Sequence, residues 1–246
     1  MSKINKVLAF LPISSSMRGK CYKLLCLLNK KSCIGDDFRI GFGSYIDCST
    51  INISNHVQIG NMVRIKYLDY FEIGDNSSIG SSTVVCGAYD INKFDERNLI
   101  IGRNCGILCS HYFDVVAPIK IGNNVTIAGK YSQFYTHSFD LNHNRLDGEI
   151  NIGNDVYIGA GALINLGVYI CDKVVIQGGT CVNKDVIESG VYCSYAFIKR
   201  GEVREYRELF ADKSNKMLDD GCVVYSKTKG IKKTISYCDE DMIDNQ

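Results

Sequence analysis

The chain has 246 residues, enough for one large domain or two small ones, and its net charge at neutral pH is only +1. Such a balance gives no overall basic field, so we expect no nucleic-acid partner. The 12 cysteines show no CxxC pair and no zinc-like Cys/His spacing, which predicts free thiols in a reducing cytoplasm and no metal. No signal peptide is recognisable, and no apolar run approaches the ~18 residues of a membrane span.

Residues 1–32 precede the repeats and are predicted to be a helical segment. Within it, Met17–Lys31 gathers apolar residues on one helical face, surrounded by basic ones: Cys21, Leu24, Leu25 and Leu28. Two roles stay open. In the first, the segment is a cap over the end of the repeat array and covers an edge that would otherwise pair with another chain. In the second, residues 17–31 lie peripherally on the inner face of an anionic membrane. The short polar face favours the cap.

Aliphatic residues then recur at every sixth position. The spacing is strict in Ile152–Val182, at Ile152, Ile158, Ile164, Ile170, Ile176 and Val182. A helix needs apolar residues three or four apart and a plain strand needs every second one. A period of six instead predicts a chain that turns a corner every six residues, as in a parallel β-helix whose coils bury their inner faces by stacking. We predict an all-β domain at 33–200 with about seven coils of about eighteen residues.

Breaks in the six-residue spacing predict segments that leave the coil. A short break lies near Lys66–Glu72, a longer loop at 87–98, and the longest at 130–149. Function tends to concentrate in such loops. After residue 200 the spacing stops, and the pattern of Glu202–Lys213 is helical. Residues 201–246 are therefore predicted to form a C-terminal helix and an acidic, loosely ordered tail.

Three of the four histidines lie in the central region that departs from the repeat: His111, His137 and His143. His56 stands in a repeat turn and is interpreted as a surface residue. His137 stands at the start of the longest loop, with the aromatic neighbours Phe134, Tyr135 and Phe139. A neutral-pH base held beside a rigid scaffold is a candidate for general-base catalysis.

The pattern THSFD followed, after a loop, by INIGNDVYIGAGALINLGV and VNKDV resembles bacterial hexapeptide-repeat acyltransferases. The resemblance is strongest to sugar O-acetyltransferases of surface-polysaccharide synthesis and to the maltose/galactoside acetyltransferase group. It covers roughly residues 34–200 and is most specific between 135 and 185. It implies a left-handed parallel β-helix, a homotrimer with active sites between subunits, and acetyl-CoA as the acyl donor.

The resemblance also implies roles for individual residues. His137 would be the general base, worth about 10²–10⁴ in rate, and a backbone N–H near Ala160–Gly161 would stabilise the oxyanion. Asp140 would orient the imidazole or, equally, cap amides of its own loop. Ser110 or His111 lies near the position where some relatives keep an acceptor-binding Asn. For Asn142, His143 and Arg145 two interpretations stay open: they line the acceptor pocket, or they are solvated loop residues.

For the cofactor, small residues would let the pantetheine arm lie close to the coil, and cations would meet the phosphates. The implied contacts are Ala160, Gly161, Gly178, Gly179, Asn183, Lys184, Lys199 and Arg200. The chain departs from the family pattern at Tyr157, usually Trp, at Leu166, usually Pro, and at 193–196, usually Gly-x-Pro-Ala. The core chemistry is retained, whereas the cofactor end of the cleft is remodelled.

The sequence therefore predicts an acetyl-CoA-dependent O-acetyltransferase that acts on a saccharide hydroxyl of a surface polysaccharide or its precursor. An N-acetyltransferase acting on an amino-sugar nucleotide would need the same base. A zinc enzyme of the carbonic-anhydrase type would use three histidines, His111, His137 and His143. A non-catalytic trimeric scaffold is the remaining alternative.

Overall fold

The aliphatic residues that recur every six positions form three ladders inside a parallel β-helix. The computed structural model describes residues 2–26, 32–87, 96–194, 199–201, 221–226 and 231–236. Each coil has three short strands, one on each face of a triangular prism, and each strand pairs in parallel with the equivalent strand of the next coil. The predicted fold class, an all-β parallel β-helix, is confirmed.

Two helices, α1 (Ser2–Ala9) and α2 (Ser15–Cys26), come before the coils. The first coils contain β1 (Cys33–Ile34), β2 (Arg39–Ile40), β3 (Tyr45–Ile53), β4 (Gln58–Ile59), β5 (Arg64–Ile73), β6 (Ser78–Ile79) and β7 (Val84–Cys86). The middle coils contain β8 (Asn98–Ile101), β9 (Gly106–Ile107), β10 (Tyr112–Asp114), β11 (Ile119–Ile121), β12 (Thr126–Ile127) and β13 (Gln133–Tyr135), followed by a hairpin of β14 (His137–Phe139) and β15 (Arg145–Asp147). The last coils contain β16 (Ile150–Ile152), β17 (Tyr157–Ile158), β18 (Leu163–Ile164), β19 (Tyr169–Ile170), β20 (Val174–Ile176), β21 (Cys181–Val182) and β22 (Gly190–Tyr192), and β23 (Lys199–Gly201) pairs antiparallel with β22.

The three ladders account for the six-residue period. The first face stacks Ile34, Ile53, Ile73, Ile101, Ile121, Ile152 and Ile170. The second face stacks Ile40, Ile59, Ile79, Ile107, Ile127, Ile158 and Ile176. The third face stacks Ile46, Ile65, Val85, Phe113, Phe134, Ile164 and Val182. All of these side chains are buried. Val186 stacks on Ile170 and Tyr192 on Ile176, so two ladders have eight members and the third has seven, close to the predicted number of about seven coils.

Two aromatic residues replace aliphatic ones in the third ladder. The rings of Phe113 and Phe134 stack face to face, with centroids 4.4 Å apart and planes within 2°. Both rings are buried. The interpretation of Phe134 as a loop residue beside His137 is therefore wrong. Its strand, β13, belongs to the coil, so the predicted loop at 130–149 leaves the β-helix only after Tyr135.

The short break predicted near Lys66–Glu72 is also wrong, because these residues lie within β5. This strand continues from the third face of one coil to the first face of the next, as β3 does beneath it. The corner between these two faces absorbs the extra residues, with Tyr67 at φ 63°. Residues 88–95 of the predicted 87–98 loop and the predicted helix at Glu202–Lys213 lie outside the described residues, whereas Asn98 begins β8.

A ladder of Asn and Asp side chains closes the corner between the first and second faces. For example, Asp75 Oδ1 accepts the N–H of Asn55 in the preceding coil at 2.8 Å. Asp172 Oδ1 accepts the N–H of Asn154 in the same way at 2.7 Å. Each side chain satisfies a turn amide that has no strand partner, so the coils are joined at this corner as well as along their faces.

The N-terminal helices cover the open end of the first coil. The buried residues of α2 are Arg18, Gly19, Tyr22 and Cys26. A Cβ on Gly19 would stand 2.0 Å from the Phe38 carbonyl oxygen, so the helix backbone rests directly on the coil. The predicted apolar face was misplaced, since Leu24 is 67% exposed. The helix α2 nevertheless forms a cap over this end of the β-helix. Among the described residues, no helix is both long and apolar enough to cross a bilayer.

Arg18 connects the two helices of this cap to each other and to the first coil. Its guanidinium is buried and donates to three carbonyl oxygens of the cap. The acceptors are Leu8 near the end of α1, and Leu11 and Ile13 in the segment that follows it. The guanidinium also donates to the Ile40 carbonyl of the first coil at 2.8 Å. A charged donor that satisfies four carbonyls holds both helices and the coil in one arrangement.

Residues 204–246 form a second compact unit. Within it, β24 (Gly221–Ser226) and β25 (Ile231–Ser236) form an antiparallel pair. The tail that was expected to be loosely ordered therefore contains a two-stranded element.

Replacing Arg18 with Met should lower the free energy of unfolding by about 3 kcal/mol, because the carbonyls it serves lose a charged donor while the apolar volume is kept. Urea denaturation followed by circular dichroism measures this. Lys20→Met, on the same helix but exposed, is the matched control and should change the stability by less than about 0.5 kcal/mol. Equal losses in the two variants would contradict the capping role of Arg18.

Candidate active site

An Asp–His pair stands at the corner between the third and first faces. His137 Nδ1 lies 2.6 Å from Asp114 Oδ2. Asp114 ends β10, one coil below β13, and its side chain is 7% exposed, whereas that of His137 is 27% exposed. A carboxylate at Nδ1 fixes the tautomer with the proton on Nδ1, which leaves the lone pair of Nε2 available. No described residue hydrogen-bonds to Nε2.

Thr136 fixes the position of this pair. Its buried hydroxyl donates to the Asp114 carbonyl oxygen at 2.8 Å. The hydroxyl oxygen of Thr136 in turn accepts the N–H groups of Val116 and Ala117 at 2.9 and 3.0 Å. The Thr136 N–H also donates to Asp114 Oδ2 at 3.2 Å. The residue before the histidine thus ties two successive coils together where the imidazole meets the carboxylate.

Asp140 does not orient His137, so that part of the sequence interpretation is wrong. Its carboxylate accepts the N–H groups of Asn142 and Asn144, both at 2.8 Å, and the Asn144 side-chain amide. The bond from the Asn144 side chain and those from the loop amides hold the pKa of this exposed carboxyl below its usual value. The other interpretation, a carboxylate that caps its own turn, is the correct one. The orienting residue, Asp114, was missed.

The hairpin of β14 and β15 carries several predicted acceptor contacts. His137 is opposite Asp147, and Phe139 is opposite Arg145, so these four residues share one face of the hairpin. The Phe139 ring meets the imidazole edge-on at 5.5 Å and is 58% exposed. Arg145 Nε contacts Asp147 Oδ2 at 3.1 Å. The predicted contacts Asn142 and His143 are exposed at the tip, where His143 has φ 61°.

A second group of predicted residues lines the corner between the second and third faces. Ala160–Gly161 and Gly178–Gly179 stack there in successive coils, and the Gly179 N–H donates to the Ala160 carbonyl at 2.8 Å. A Cβ on Gly179 would meet nothing within 4 Å, and one on Gly161 would meet only the Gly179 nitrogen at 4.0 Å. A Cβ on Gly178, by contrast, would stand 3.0 Å from the Ala160 carbonyl oxygen, so the open positions in this strip of backbone are those of Gly161 and Gly179. Ser110 occupies the same corner two coils below Ala160.

The predicted oxyanion donor can be narrowed to one amide. The Gly161 N–H is already used, since it donates to the Lys130 carbonyl at 2.9 Å. No acceptor in the described parts of the chain takes the Ala160 N–H. Of the two residues at this turn, Ala160 is therefore the one that can donate.

The two groups of residues do not meet within one chain. The turn at Ala160–Gly161 precedes the strand of the third face, whereas His137 follows it, so they lie at opposite edges, at least about 10 Å apart. Asn183 and Lys184 are exposed and follow β21, at the corner shared with His137. Lys199 and Arg200 lie on β23, and their side chains are outside the described structure.

His111 was predicted to contact the acceptor, but it is buried inside the coil at 1% exposure. Its Nδ1 accepts the Ser132 N–H at 3.1 Å, and burial lowers its pKa. It occupies an interior corner position that Thr83 and Ser132 fill in neighbouring coils. The three histidines of the zinc alternative lie in the coil interior, at a corner and at a hairpin tip, and no metal-binding group of His, Cys, Asp or Glu was found in the described residues.

Several proteins of known activity are similar to this chain in sequence, although no family model matches it. The bifunctional protein GlmU of Anaplasma marginale is 32% identical over 111 residues, covering 42% of this chain and 24% of the relative. The galactoside O-acetyltransferase of Escherichia coli is 38% identical over 139 residues, covering 55% and 60%. The chloramphenicol acetyltransferase of Morganella morganii is 28% identical over 160 residues, covering 58% and 72%.

Two of these relatives are acetyltransferases by name. The predicted resemblance to hexapeptide-repeat acyltransferases is confirmed. The chain spans about a quarter of the length of the GlmU relative.

Replacing Thr136 with Val should lower the free energy of unfolding by about 3 kcal/mol, because the buried N–H groups of Val116 and Ala117 lose their acceptor. Urea denaturation measures the loss. Thr126→Val is the matched control, because the Thr126 hydroxyl makes no hydrogen bond within the described structure. We expect a change below about 0.5 kcal/mol there. A Thr136→Val protein as stable as the control would contradict the role of Thr136 in tying the two coils together.

His111 should make stability depend on pH. Because burial lowers its pKa in the folded protein, the unfolded chain binds more protons below the ordinary value of 6.5, and stability falls as the pH drops through that value. The slope contributed by one group is at most about 1.4 kcal/mol per pH unit. Urea titrations between pH 7.5 and 5 should show that His111→Thr removes this slope. His56→Thr, at an exposed position, should retain it, and an unchanged slope in His111→Thr would contradict the assignment.

Proposed function

We propose that the protein is an acetyl-CoA-dependent O-acetyltransferase whose acceptor is a saccharide hydroxyl, belonging to a surface polysaccharide or its precursor. The observation that carries this proposal is the Asp114–His137 pair, held by Thr136 at the base of a protruding hairpin. The similarity to a galactoside O-acetyltransferase supports a sugar acceptor. The cytoplasmic location expected from the cysteines stays a prediction.

The chemistry follows from the arrangement of this pair. Asp114 accepts a hydrogen bond from the Nδ1–H group of His137, so the lone pair of Nε2 is free to take the proton of the acceptor hydroxyl. The hydroxyl oxygen attacks the thioester carbonyl and forms the new C–O bond of a tetrahedral intermediate. Collapse of the intermediate breaks the C–S bond, and the imidazolium returns the proton to the departing thiolate. The products are the acetyl ester and CoA.

The tetrahedral oxyanion needs a hydrogen-bond donor, and the Ala160 N–H is suited to this role. Removing one donor of this kind typically costs 10²–10³ in rate. Because His137 and Ala160 stand at opposite edges of one face, the amide near a given histidine would come from a second copy of the chain. This requirement supports a homotrimer with active sites between subunits.

The acyl donor would lie along the strip formed by Ala160, Gly161, Gly178 and Gly179. The positions facing open space leave room for the narrow pantetheine arm, and backbone groups there are close to the surface. Lys184, and Lys199 with Arg200 farther along the chain, would supply cations for the phosphates. The acceptor would lie under the hairpin, where the exposed Phe139 ring and the Arg145–Asp147 pair adjoin His137.

Three single variants test this proposal through release of CoA thiol from acetyl-CoA in the presence of a panel of saccharide acceptors that includes an amino-sugar nucleotide. His137→Ala should reduce acceptor-dependent release by about 10²–10⁴. Asp114→Asn should reduce it by roughly 10²-fold or more, because the amide no longer fixes the imidazole tautomer.

Asp140→Asn is the matched control, because this carboxylate serves only the hairpin turn, and its rate should stay within about threefold of the unmodified protein. Release that is unchanged in His137→Ala would remove this residue as the base. A loss in Asp140→Asn as large as that in Asp114→Asn would return the orienting role to Asp140. Release seen only with the amino sugar would replace the hydroxyl acceptor by an amine.

A further inference from the structure

One face of the hairpin at the candidate site presents an aromatic ring beside the imidazole. The strand register places His137 opposite Asp147 and Phe139 opposite Arg145, so these four side chains share that face. Phe139 is 58% exposed and the His137 side chain 27%, whereas the side chains of Arg145 and Asp147 are only 12% and 8% exposed. A molecule that approaches this face therefore meets chiefly the Phe139 ring and the imidazole.

The two rings are close enough to contact one ligand. Their centroids are 5.5 Å apart, and their planes stand at 90° to each other. An acceptor hydroxyl must come within about 2.6–3.2 Å of His137 Nε2 to pass on its proton. A pyranose whose hydroxyl reaches Nε2 is wide enough to extend over the Phe139 side chain as well. Its apolar C–H groups would then cover the exposed ring, and the removal of both apolar surfaces from water favours such a complex.

The charge of the hairpin disfavours an acidic ligand. Residues 136–149 carry three Asp or Glu and one Lys or Arg. The single cation, Arg145, donates from Nε to Asp147 Oδ2 at 3.1 Å, so its charge is already matched by a carboxylate. Asp140 accepts only N–H groups of its own turn within the described structure, and no cation there neutralises it. A ligand with a carboxylate or phosphate would thus add a negative charge beside uncompensated negative charge.

We propose that Phe139 is a specificity residue of the candidate site, and that the acceptor unit bound there is a pyranose without an acidic group. One C–H face of this sugar stacks on the Phe139 ring, and one of its hydroxyls donates to His137 Nε2. The inference rests on the proposed function, because it takes Nε2 as the atom that the hydroxyl must reach. It narrows the acceptor by excluding uronic acids and sugar phosphates at this position.

The opposite face of the same hairpin offers a matched control. Leu146 is opposite Ser138 in the register, so its side chain lies on the face that does not carry the imidazole. It is 53% exposed, close to the value for Phe139. Truncation of Leu146 to Ala removes a similarly exposed apolar group from the same hairpin without touching the proposed sugar contact.

Saturation-transfer NMR on the full chain tests the proposal without acetyl-CoA. The probes are the methyl pyranosides of glucose, galactose and mannose, each compared with the methyl glycoside of its uronic acid. At least one neutral probe should bind, with the transfer concentrated on C–H protons of one sugar face. Phe139→Ala should raise its dissociation constant by about fivefold or more, whereas Phe139→Tyr and Leu146→Ala should stay within about twofold. The matched uronic acid should bind about tenfold more weakly at low salt, and added salt should narrow this difference.

Four results would overturn the proposal. They are binding of no neutral probe, equal binding by Phe139→Ala and the unmodified chain, tighter binding of the uronic acid, and a changed molar mass of Phe139→Ala in light scattering. The last would assign the ring to a contact between copies of the chain.

Release of CoA, measured separately, distinguishes this proposal from the proposed function. Sugar binding that depends on Phe139 without acceptor-dependent release of CoA would overturn the transferase and leave the sugar contact standing. Release to a sugar that Phe139→Ala binds as tightly as the unmodified chain would do the reverse. His137→Ala should bind the neutral probe and lack the release.

Discussion

Stacking of one coil on the next is the constraint on which the rest of this structure depends. A single coil cannot bury its inward side chains alone, so each ladder residue depends on the residues above and below it for its burial. Any feature that keeps successive coils in register therefore stabilises the whole array. The Asn/Asp corner ladder does this between turns, and Arg18 does it at the end, where no further coil is available.

The same stacking builds the candidate site. Asp114 and His137 are 23 residues apart in the chain, but one coil brings them together, and Thr136 bonds to both sides of the junction. The paired rings of Phe113 and Phe134 sit directly inside these residues and give the junction a rigid interior. Since His137 projects from a corner fixed in this way, the imidazole is positioned by the scaffold, and the hairpin beyond it is free to vary with the acceptor.

The sequence predicted most of what is periodic and little of what is not. The isoleucine spacing predicted the coils, their approximate number and the corner at Ala160–Gly161. It could do so because the residues that recur every six positions are the ones that are buried. The spacing did not predict a ladder position that is filled by an aromatic side chain, such as that of Phe134. It also did not predict side-chain contacts between successive coils. Placing coil on coil would have set Asp114 beside Tyr135 and shown His111 at an interior position filled elsewhere by Ser and Thr. Asp140 was chosen because it is near in sequence, whereas the partner of His137 is near only in space.

His137 and the proposed oxyanion donor at Ala160 lie at different corners, so a single chain cannot present both to one acceptor. A β-helix is a prism, and side chains at different corners point away from one another, so no folding of one chain can bring the His137 corner to the Ala160 corner. Only a second prism placed alongside can do so, with one corner of each meeting. Assembly would then be a condition for catalysis, and a chain that folds fully but stays alone should keep its stability and lack the activity.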